Sequence, residues 1–209
     1  MDRISAKEHF TRSSLERVLT VLRRGGMIVY PTETSYGLGC DASDAKAVEH
    51  VFRLKGRSSA KALPILVGSL PMLRRYVMLP HGVEEIIERH WPGPVTFVLR
   101  AGMRLPRVLH GGSGTVAVRI SSHPIAQRIV SRFGKPLVAT SANRSGKRPA
   151  YSVWAFRAQY ATARNLPDLI VDGGQLPRRV PSTVASFEHG HLRILRRGRI
   201  LPHDEVNDA

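Results

Sequence analysis

The chain has 209 residues, of which 42% are hydrophobic and 23% are charged. This composition excludes a disordered or low-complexity protein, and the length predicts a single domain, 1–209, large enough to bury a core. The 32 Lys and Arg against 16 Asp and Glu give a formal net charge of +16, which predicts an anionic partner such as a nucleotide or a nucleic acid.

The single cysteine and the short apolar runs exclude further classes of protein. Cys40 cannot form an internal disulfide, and no Cys and His residues have the spacing of a zinc site. The N-terminus lacks the apolar segment of a signal peptide, and no run approaches the ~18 apolar residues expected of a membrane span. We therefore expect a cytoplasmic protein that does not associate with membranes.

Helical and strand patterns alternate along most of the chain. Apolar residues at helical spacing predict helices over 14–24, 44–55, 70–77, 82–90, 124–133 and 152–161. Short apolar runs predict strands over 27–30, 63–67, 95–99, 115–120, 136–140, 169–171, 183–187 and 192–195. Gly190 is expected in the hairpin turn between the last two strands, and the tail from about residue 202 is expected to fray. The interleaving predicts an α/β fold, with a layered, twisted mixed β-sheet and flanking helices.

The stretch 30–61 concentrates groups suited to binding an anion. Pro31 should end the strand before it, because proline has no backbone N–H. A loop of hydroxyl side chains follows over 32–36. Gly37 and Gly39 then predict a tight turn or a close approach of the backbone to a ligand.

A predicted helix carries this stretch on to a group of cations. Asp44 is expected to cap the helix, which should end near Lys55 and Arg57, with Lys61 just beyond. These cations beside a hydroxyl-rich loop suit a phosphate-bearing ligand. The alternative is that they complement the helix dipole while the Ser and Thr side chains satisfy their own backbone.

The sequences YPTETSYGLG and KGR in this stretch closely resemble the signature of the YrdC-type family. Members of that family are threonylcarbamoyl-AMP synthases, which start the threonylcarbamoyladenosine modification at position 37 of tRNA. The resemblance continues in order through PGPVTFVL at 92–99, TVAVRI at 115–120, ATSANRSG at 139–146, STV at 182–184 and ILRRG at 194–198. It implies a YrdC-like fold around a basic concave cavity, in the short single-domain form.

The resemblance implies an enzyme, a nucleotidyltransferase that converts L-threonine, bicarbonate and ATP into threonylcarbamoyl-AMP and pyrophosphate. It implies Mg²⁺ or another divalent cation bound with ATP, and transient contact with the tRNA threonylcarbamoyl transferase that uses the product. The residues agree with chemistry that needs no protein nucleophile, since there is no G-x-S-x-G elbow. A Walker motif is also missing, so ATP must be held by something other than a P-loop.

The resemblance further implies a role for individual residues in the cavity. The implied contacts to L-threonine are Thr34, Arg119, Ser141 and Ser182. The implied contacts to ATP are Arg57, Lys61, Thr115, Asn143, Tyr151 and Arg196, with Lys55 beside Arg57 helping to position the phosphates. The metal ligands are unknown; Glu33, the one carboxylate of the first motif, is either a metal ligand or orienting residue or an ordinary loop acceptor.

Several of these residues have simpler structural interpretations. Ser141 and Asn143 could cap their own turn, and Arg196 could be an edge-strand charge. Arg119 could be a surface charge on an alternating strand, and in the family interpretation it is a cavity charge and not a core residue. Many relatives place a histidine where this chain has Leu66, which puts a threonine contact there in doubt.

Two other functions stay open at this point. The basic face could bind RNA without any catalysis, although only 6% of residues are aromatic and no RNP-type aromatic motif is present. The chain could also be a family paralogue with a different substrate, which the retained KGR, SAN and STV motifs disfavour.

Overall fold

The computed structural model describes residues 1–163, 165–188 and 191–198. Within these ranges the helices are α1 (Arg12–Arg23), α2 (Ala45–Lys55), α3 (Leu70–Tyr76), α4 (Val83–His90), α5 (Pro124–Phe133) and α6 (Val153–Gln159). The strands are β1 (Asp2–Ser5), β2 (Ile28–Pro31), β3 (Tyr36–Gly39), β4 (Ile65–Leu66), β5 (Val77–Met78), β6 (Val95–Ala101), β7 (Thr115–Arg119), β8 (Leu137–Val138), β9 (Thr140–Ser141), β10 (Leu169–Asp172), β11 (Thr183–Glu188) and β12 (His191–Arg196).

The strands form two mixed sheets. The five-stranded sheet has the order β1-β10-β2-β3-β9, and the seven-stranded sheet has the order β12-β11-β6-β7-β4-β8 with β5 paired to β6. Each contains both parallel and antiparallel pairs, for example β10 parallel to β2 and β2 antiparallel to β3. The predicted α/β class with mixed pairing is confirmed, and the expectation of one sheet is corrected to two.

The predicted cap of α2 is confirmed. Asp44 accepts hydrogen bonds through Oδ1 from the backbone N–H groups of Lys46 and Ala47, at 2.9 and 3.2 Å. Gly56 follows α2 in the left-handed conformation, with φ of 58°. A capping side chain and a glycine after the last turn are local signals, which fix helix ends without help from the rest of the fold.

None of the described helices is both long and apolar enough to cross a membrane.

The first motif folds differently from the prediction. The segment expected to be a glycine turn is the buried strand β3, in which Gly37 pairs with Tyr30 and Gly39 pairs with Ile28. A Cβ on Gly39 would lie 2.7 Å from Cε1 of Tyr30 and 2.7 Å from the carbonyl oxygen of Val138. The glycines therefore do permit a close approach, but to the Tyr30 ring and a neighbouring carbonyl.

The run expected as one strand over 136–140 is divided between the two sheets. Val138 ends β8, which pairs with β4 in the seven-stranded sheet. Thr140 begins β9, which pairs with β3 in the five-stranded sheet. The chain therefore passes from one sheet to the other across a single residue, Ala139. Strands β1 and β5 were not predicted, while Gly190 and the tail from residue 202 lie outside the described residues.

We expect Gly39→Ala to destabilise the protein by roughly 1–3 kcal/mol, because the added methyl group would overpack a site bounded by a ring and a backbone carbonyl. Urea denaturation would measure the change in the free energy of unfolding. Gly56→Ala is the control, since its Cβ would meet nothing within 4 Å and only the left-handed backbone adds a cost, of roughly 1–2 kcal/mol. A smaller loss for Gly39→Ala than for Gly56→Ala would contradict the packing described for β3.

Candidate active site

Strands of both sheets line a cavity of about 400 Å³, a volume within the range of small-molecule sites. Its described lining includes four arginines, Arg57, Arg119, Arg179 and Arg196. Hydroxyl groups surround them, from Thr32, Thr34, Ser35, Thr96, Thr140, Ser141 and Ser182. None of the described lining residues is Asp or Glu, so the cavity suits an anionic ligand.

The structure gathers most of the predicted site residues in this cavity. Those that line it are Thr34, Arg57, Arg119, Ser141, Tyr151, Ser182 and Arg196. Lys61 and Thr115 are exposed and lie outside the lining, while Lys55 and Asn143 are buried behind it. Leu66 also lines the cavity, so an apolar side chain occupies this position.

Arg119, at the end of β7, is held by a buried carboxylate. Its Nη1 donates a hydrogen bond to Oε1 of Glu33, and the Ser121 hydroxyl donates to Oε2 of the same group. Arg119 and Glu33 are each only 8% exposed. Arg119 is therefore a buried residue as well as a cavity charge, which corrects the expectation. Because both Glu33 oxygens are engaged, Glu33 orients Arg119.

Lys55, at the end of α2, is tied to the loop after β9. Its Nζ donates hydrogen bonds to the carbonyl oxygens of Ser141 and Asn143, the latter at 2.7 Å. Burial, and then repulsion by Arg57, lowers the pKa of Lys55 to about 8. The ammonium group is thus hydrogen-bonded to the backbone of the loop after β9 and stabilises this loop beside the cavity.

Asn143 is likewise engaged inside its own loop. Its Nδ2 donates to the carbonyl oxygens of Arg144 and Lys147, at 2.8 and 2.7 Å. Its Oδ1 is buried and accepts no hydrogen bond from the part of the chain that the structure describes. The amide therefore holds the loop closed, and the predicted contact to ATP stays a prediction.

Two cavity arginines are positioned by backbone carbonyls. Nη2 of Arg57 donates to the carbonyl oxygen of Ala62 at 3.0 Å, and Nη2 of Arg196 donates to that of Ser182 at 2.8 Å. Burial lowers the pKa of Arg57. Burial, followed by repulsion from Arg119, lowers the pKa of Arg196. Both shifts mean that these positive charges are costly in the cavity as it stands, so an anion bound among them would be stabilised.

Arg179 and Thr96 are among the polar residues of the cavity that sequence reasoning missed. Arg178 and Arg179 are separated from the PSTV motif by Val180 alone, and a basic pair so near a motif was the available signal. Thr96 lies within the apolar strand β6, where it donates a hydrogen bond from Oγ1 to Oγ of Ser182 at 2.9 Å. A lone threonine in an apolar strand gives no such signal.

The single cysteine of the sequence is unsuited to act as a nucleophile. Cys40 is fully buried, and burial, with Asp41 and Asp44 nearby, raises the pKa of its thiol. The thiol therefore stays protonated and unreactive near neutral pH. Among the described residues, no group of three or more His, Cys, Asp and Glu side chains could hold a metal ion.

The sequence matches a family model named Sua5_yciO_yrdC, with the description "Telomere recombination", over residues 20–198. It is 44% identical to the threonylcarbamoyl-AMP synthase of Halorhodospira halophila over 163 residues, which cover 77% of this chain and 84% of that protein. It is 34% identical to the threonylcarbamoyl-AMP synthase of Pyrococcus abyssi over 204 residues, which cover 97% of this chain and 59% of that protein.

Two solved structures share the fold over almost the whole chain. The structure of P. abyssi Sua5 complexed with L-threonine superposes with a TM-score of 0.88 at 34% identity, covering 95% of this chain and 58% of that one. The structure of E. coli YciO superposes with a TM-score of 0.81 at 26% identity, covering 94% of each chain. The archaeal protein is thus considerably longer than the chain described here.

We expect Arg119→Met to lower the free energy of unfolding by roughly 3–5 kcal/mol, because it leaves the Glu33 carboxylate buried without its cation. Urea denaturation would measure the loss. Arg196→Met is the matched control: it removes the same charge from the same sheet. Its side chain is more exposed than that of Arg119 and forms no ion pair within the described ranges, so the loss should be no more than about 1 kcal/mol. Equal losses for the two variants would show that the buried pair does not stabilise the fold.

Proposed function

We propose that the chain, which belongs to the Sua5_yciO_yrdC family, is a threonylcarbamoyl-AMP synthase. Such an enzyme makes threonylcarbamoyl-AMP and pyrophosphate from L-threonine, bicarbonate and ATP. The observation that carries the proposal is the cavity. Its described lining contains four arginines and several hydroxyl groups, and none of those lining residues is a carboxylate. Such a lining suits two anionic substrates at once, an amino-acid carboxylate and a triphosphate.

The threonine end of the site is assigned to Arg119 and the hydroxyl groups around it. A guanidinium group held from behind by Glu33 presents its remaining N–H groups to a carboxylate in a fixed orientation. Thr34, Ser141 and Ser182 line the same cavity and supply hydrogen-bonding partners for the rest of the amino acid. This arrangement supports the L-threonine contacts implied by the sequence motifs.

The ATP end is assigned to the remaining cavity arginines, Arg57, Arg179 and Arg196, with Tyr151 also in the lining. The positive groups would neutralise phosphate charge, which is the main requirement of a reaction that transfers a nucleotidyl group. Lys61 and Thr115 are exposed and outside the lining. Their roles in binding ATP therefore rest on the motifs alone.

The chemistry proceeds in two steps, and neither needs a nucleophile from the protein. The threonine amine and bicarbonate condense to a carbamate, with loss of water. A carbamate oxygen then forms a bond to the α-phosphorus of ATP while the bond from that phosphorus to the bridging oxygen breaks, and pyrophosphate leaves. The protein contributes position and charge: Arg119 fixes the amino acid, and the other arginines stabilise the leaving phosphates.

A divalent cation would enter this site together with ATP. The described lining offers hydroxyl groups without any carboxylate, which fits Mg²⁺ held mainly by substrate phosphates and water. Such an ion would help to neutralise the negative charge of the phosphates during the transfer. The residues of the chain that face it would be the hydroxyl groups of the cavity.

The proposal places the protein in the cytoplasm, with the transferase that consumes threonylcarbamoyl-AMP as its partner. Relatives named as synthases at 34–44% identity favour this function over a family paralogue with another substrate. They also favour it over a module that only binds RNA through the concave face. Both alternatives predict different results in the following experiment.

Pyrophosphate release from ATP and Mg²⁺ should require both L-threonine and bicarbonate, since the attacking carbamate contains both. The assay omits each component in turn, and mass spectrometry identifies threonylcarbamoyl-AMP among the products. Dependence on a different amine would identify a paralogue. Pyrophosphate release that depends on neither L-threonine nor bicarbonate, or no release at all, would rule out the synthase function.

Glu33→Gln should lower kcat/KM for threonine roughly 10- to 100-fold, the loss expected when a hydrogen bond between charged groups worth about 1.5–3 kcal/mol is weakened. The KM for ATP should change much less, because Glu33 acts through Arg119. Glu49→Gln is the matched control, since Glu49 pairs with Arg53 on the exposed face of α2. Equal changes in the KM for threonine and in the KM for ATP would show that Glu33 supports the whole fold and does not orient Arg119.

A further inference from the structure

A solvent-exposed tryptophan stands between two grooves outside the cavity. Trp154 on α6 is 78% exposed, whereas Trp91 is 8% exposed. One groove, of about 490 Å³, lies on one side of Trp154 and includes Arg148 and Arg178. The other, of about 520 Å³, includes Lys7 and Arg157. A large ring exposed to this extent on a helix adds nothing to the core, so a role in binding has to be considered.

The charges around this ring are of one sign and are not neutralised. We call Lys7, Arg148, Trp154, Arg157 and Arg178 the Trp154 surface. In the described ranges its four cations are exposed and form no ion pair. Among the described residues, the groove with Arg148 and Arg178 has no carboxylate in its lining. The groove with Lys7 and Arg157 has Asp172, which is already bound to Arg3. The surface therefore presents a net positive charge to solvent.

We propose that the Trp154 surface binds a single-stranded nucleic acid, with a base stacked on the Trp154 ring and the neighbouring phosphates bound by the four cations. Exposed aromatic rings among arginines are how proteins bind single strands, because every base offers a flat face and every nucleotide a phosphate. A duplex keeps its bases stacked inside and could use only the charges. The Trp154 ring is therefore what favours a single strand.

The position of the Trp154 surface links it to the cavity without making it part of the cavity. The groove with Arg148 and Arg178 shares Pro149 and Tyr151 with the cavity lining. Trp154 itself belongs to both grooves and not to the cavity. A strand lying across Trp154 would thus pass beside the mouth of the cavity, and binding there does not depend on the proposed enzymatic function.

Titration of the full chain with a single-stranded RNA of about 12 nucleotides tests the proposal, within the site sizes known for single-strand binders. Stacking should quench the emission of Trp154, which is distinguished from that of buried Trp91 by comparison with Trp154→Ala. That variant should bind the RNA about 10-fold or more weakly, while Trp154→Tyr should retain most of the affinity. Pyrophosphate release by Trp154→Ala should be unchanged, since Trp154 is outside the cavity.

The charges are tested by the salt dependence of binding. Arg157→Ala combined with Arg178→Ala should reduce the slope of log affinity against log salt by about 1.4, from two lost phosphate contacts. Arg132→Ala on α5 is the control and should leave the slope unchanged. Unaltered affinity in Trp154→Ala, or full displacement of the RNA by ATP with threonine, would overturn the proposal. So would quenching of Trp154 by polyglutamate with equal affinity, which would assign the surface to an acidic protein.

Discussion

The buried pair of Arg119 and Glu33 is the contact on which the architecture of the site depends. Glu33 follows β2 of the five-stranded sheet, and Arg119 ends β7 of the seven-stranded sheet. Their ion pair therefore joins the two sheets at the cavity that both of them line. Two charges this well buried are tolerated because each satisfies the other and Ser121 occupies the second carboxylate oxygen.

The Lys55 ammonium group makes a second connection of the same kind. It joins the end of α2 to the carbonyl oxygens of Ser141 and Asn143, 86 and 88 residues further along the chain. Arg57 follows Lys55 by two residues, so the segment that presents a cavity charge is anchored to the loop on the other side of the site. Buried polar groups thus fix the positions of the side chains that line the cavity. An enzyme that acts by orienting its substrates requires such pre-organisation.

Local chemistry in the sequence was enough to predict the helices and the Asp44 cap, whereas the cavity residues were predicted from the resemblance to the YrdC-type family. It could not predict what Lys55 binds, because its acceptors are backbone carbonyls distant in sequence and any residue type could supply them. Gly37 and Gly39 indicated a turn, because the sequence alone does not show that the Tyr30 ring packs against this segment. That packing is the reason why the strand needs glycine at these positions. Trp154 fell within a correctly predicted helix, but its exposure depends on which face that helix buries.

The passage of the chain from β8 to β9 bears on how the protein unfolds. Val138 is hydrogen-bonded within one sheet and Thr140 pairs within the other, so one short segment supplies an edge strand to each sheet. We therefore expect the two sheets to unfold together in one cooperative transition, and the cavity that both of them line to be lost with either sheet.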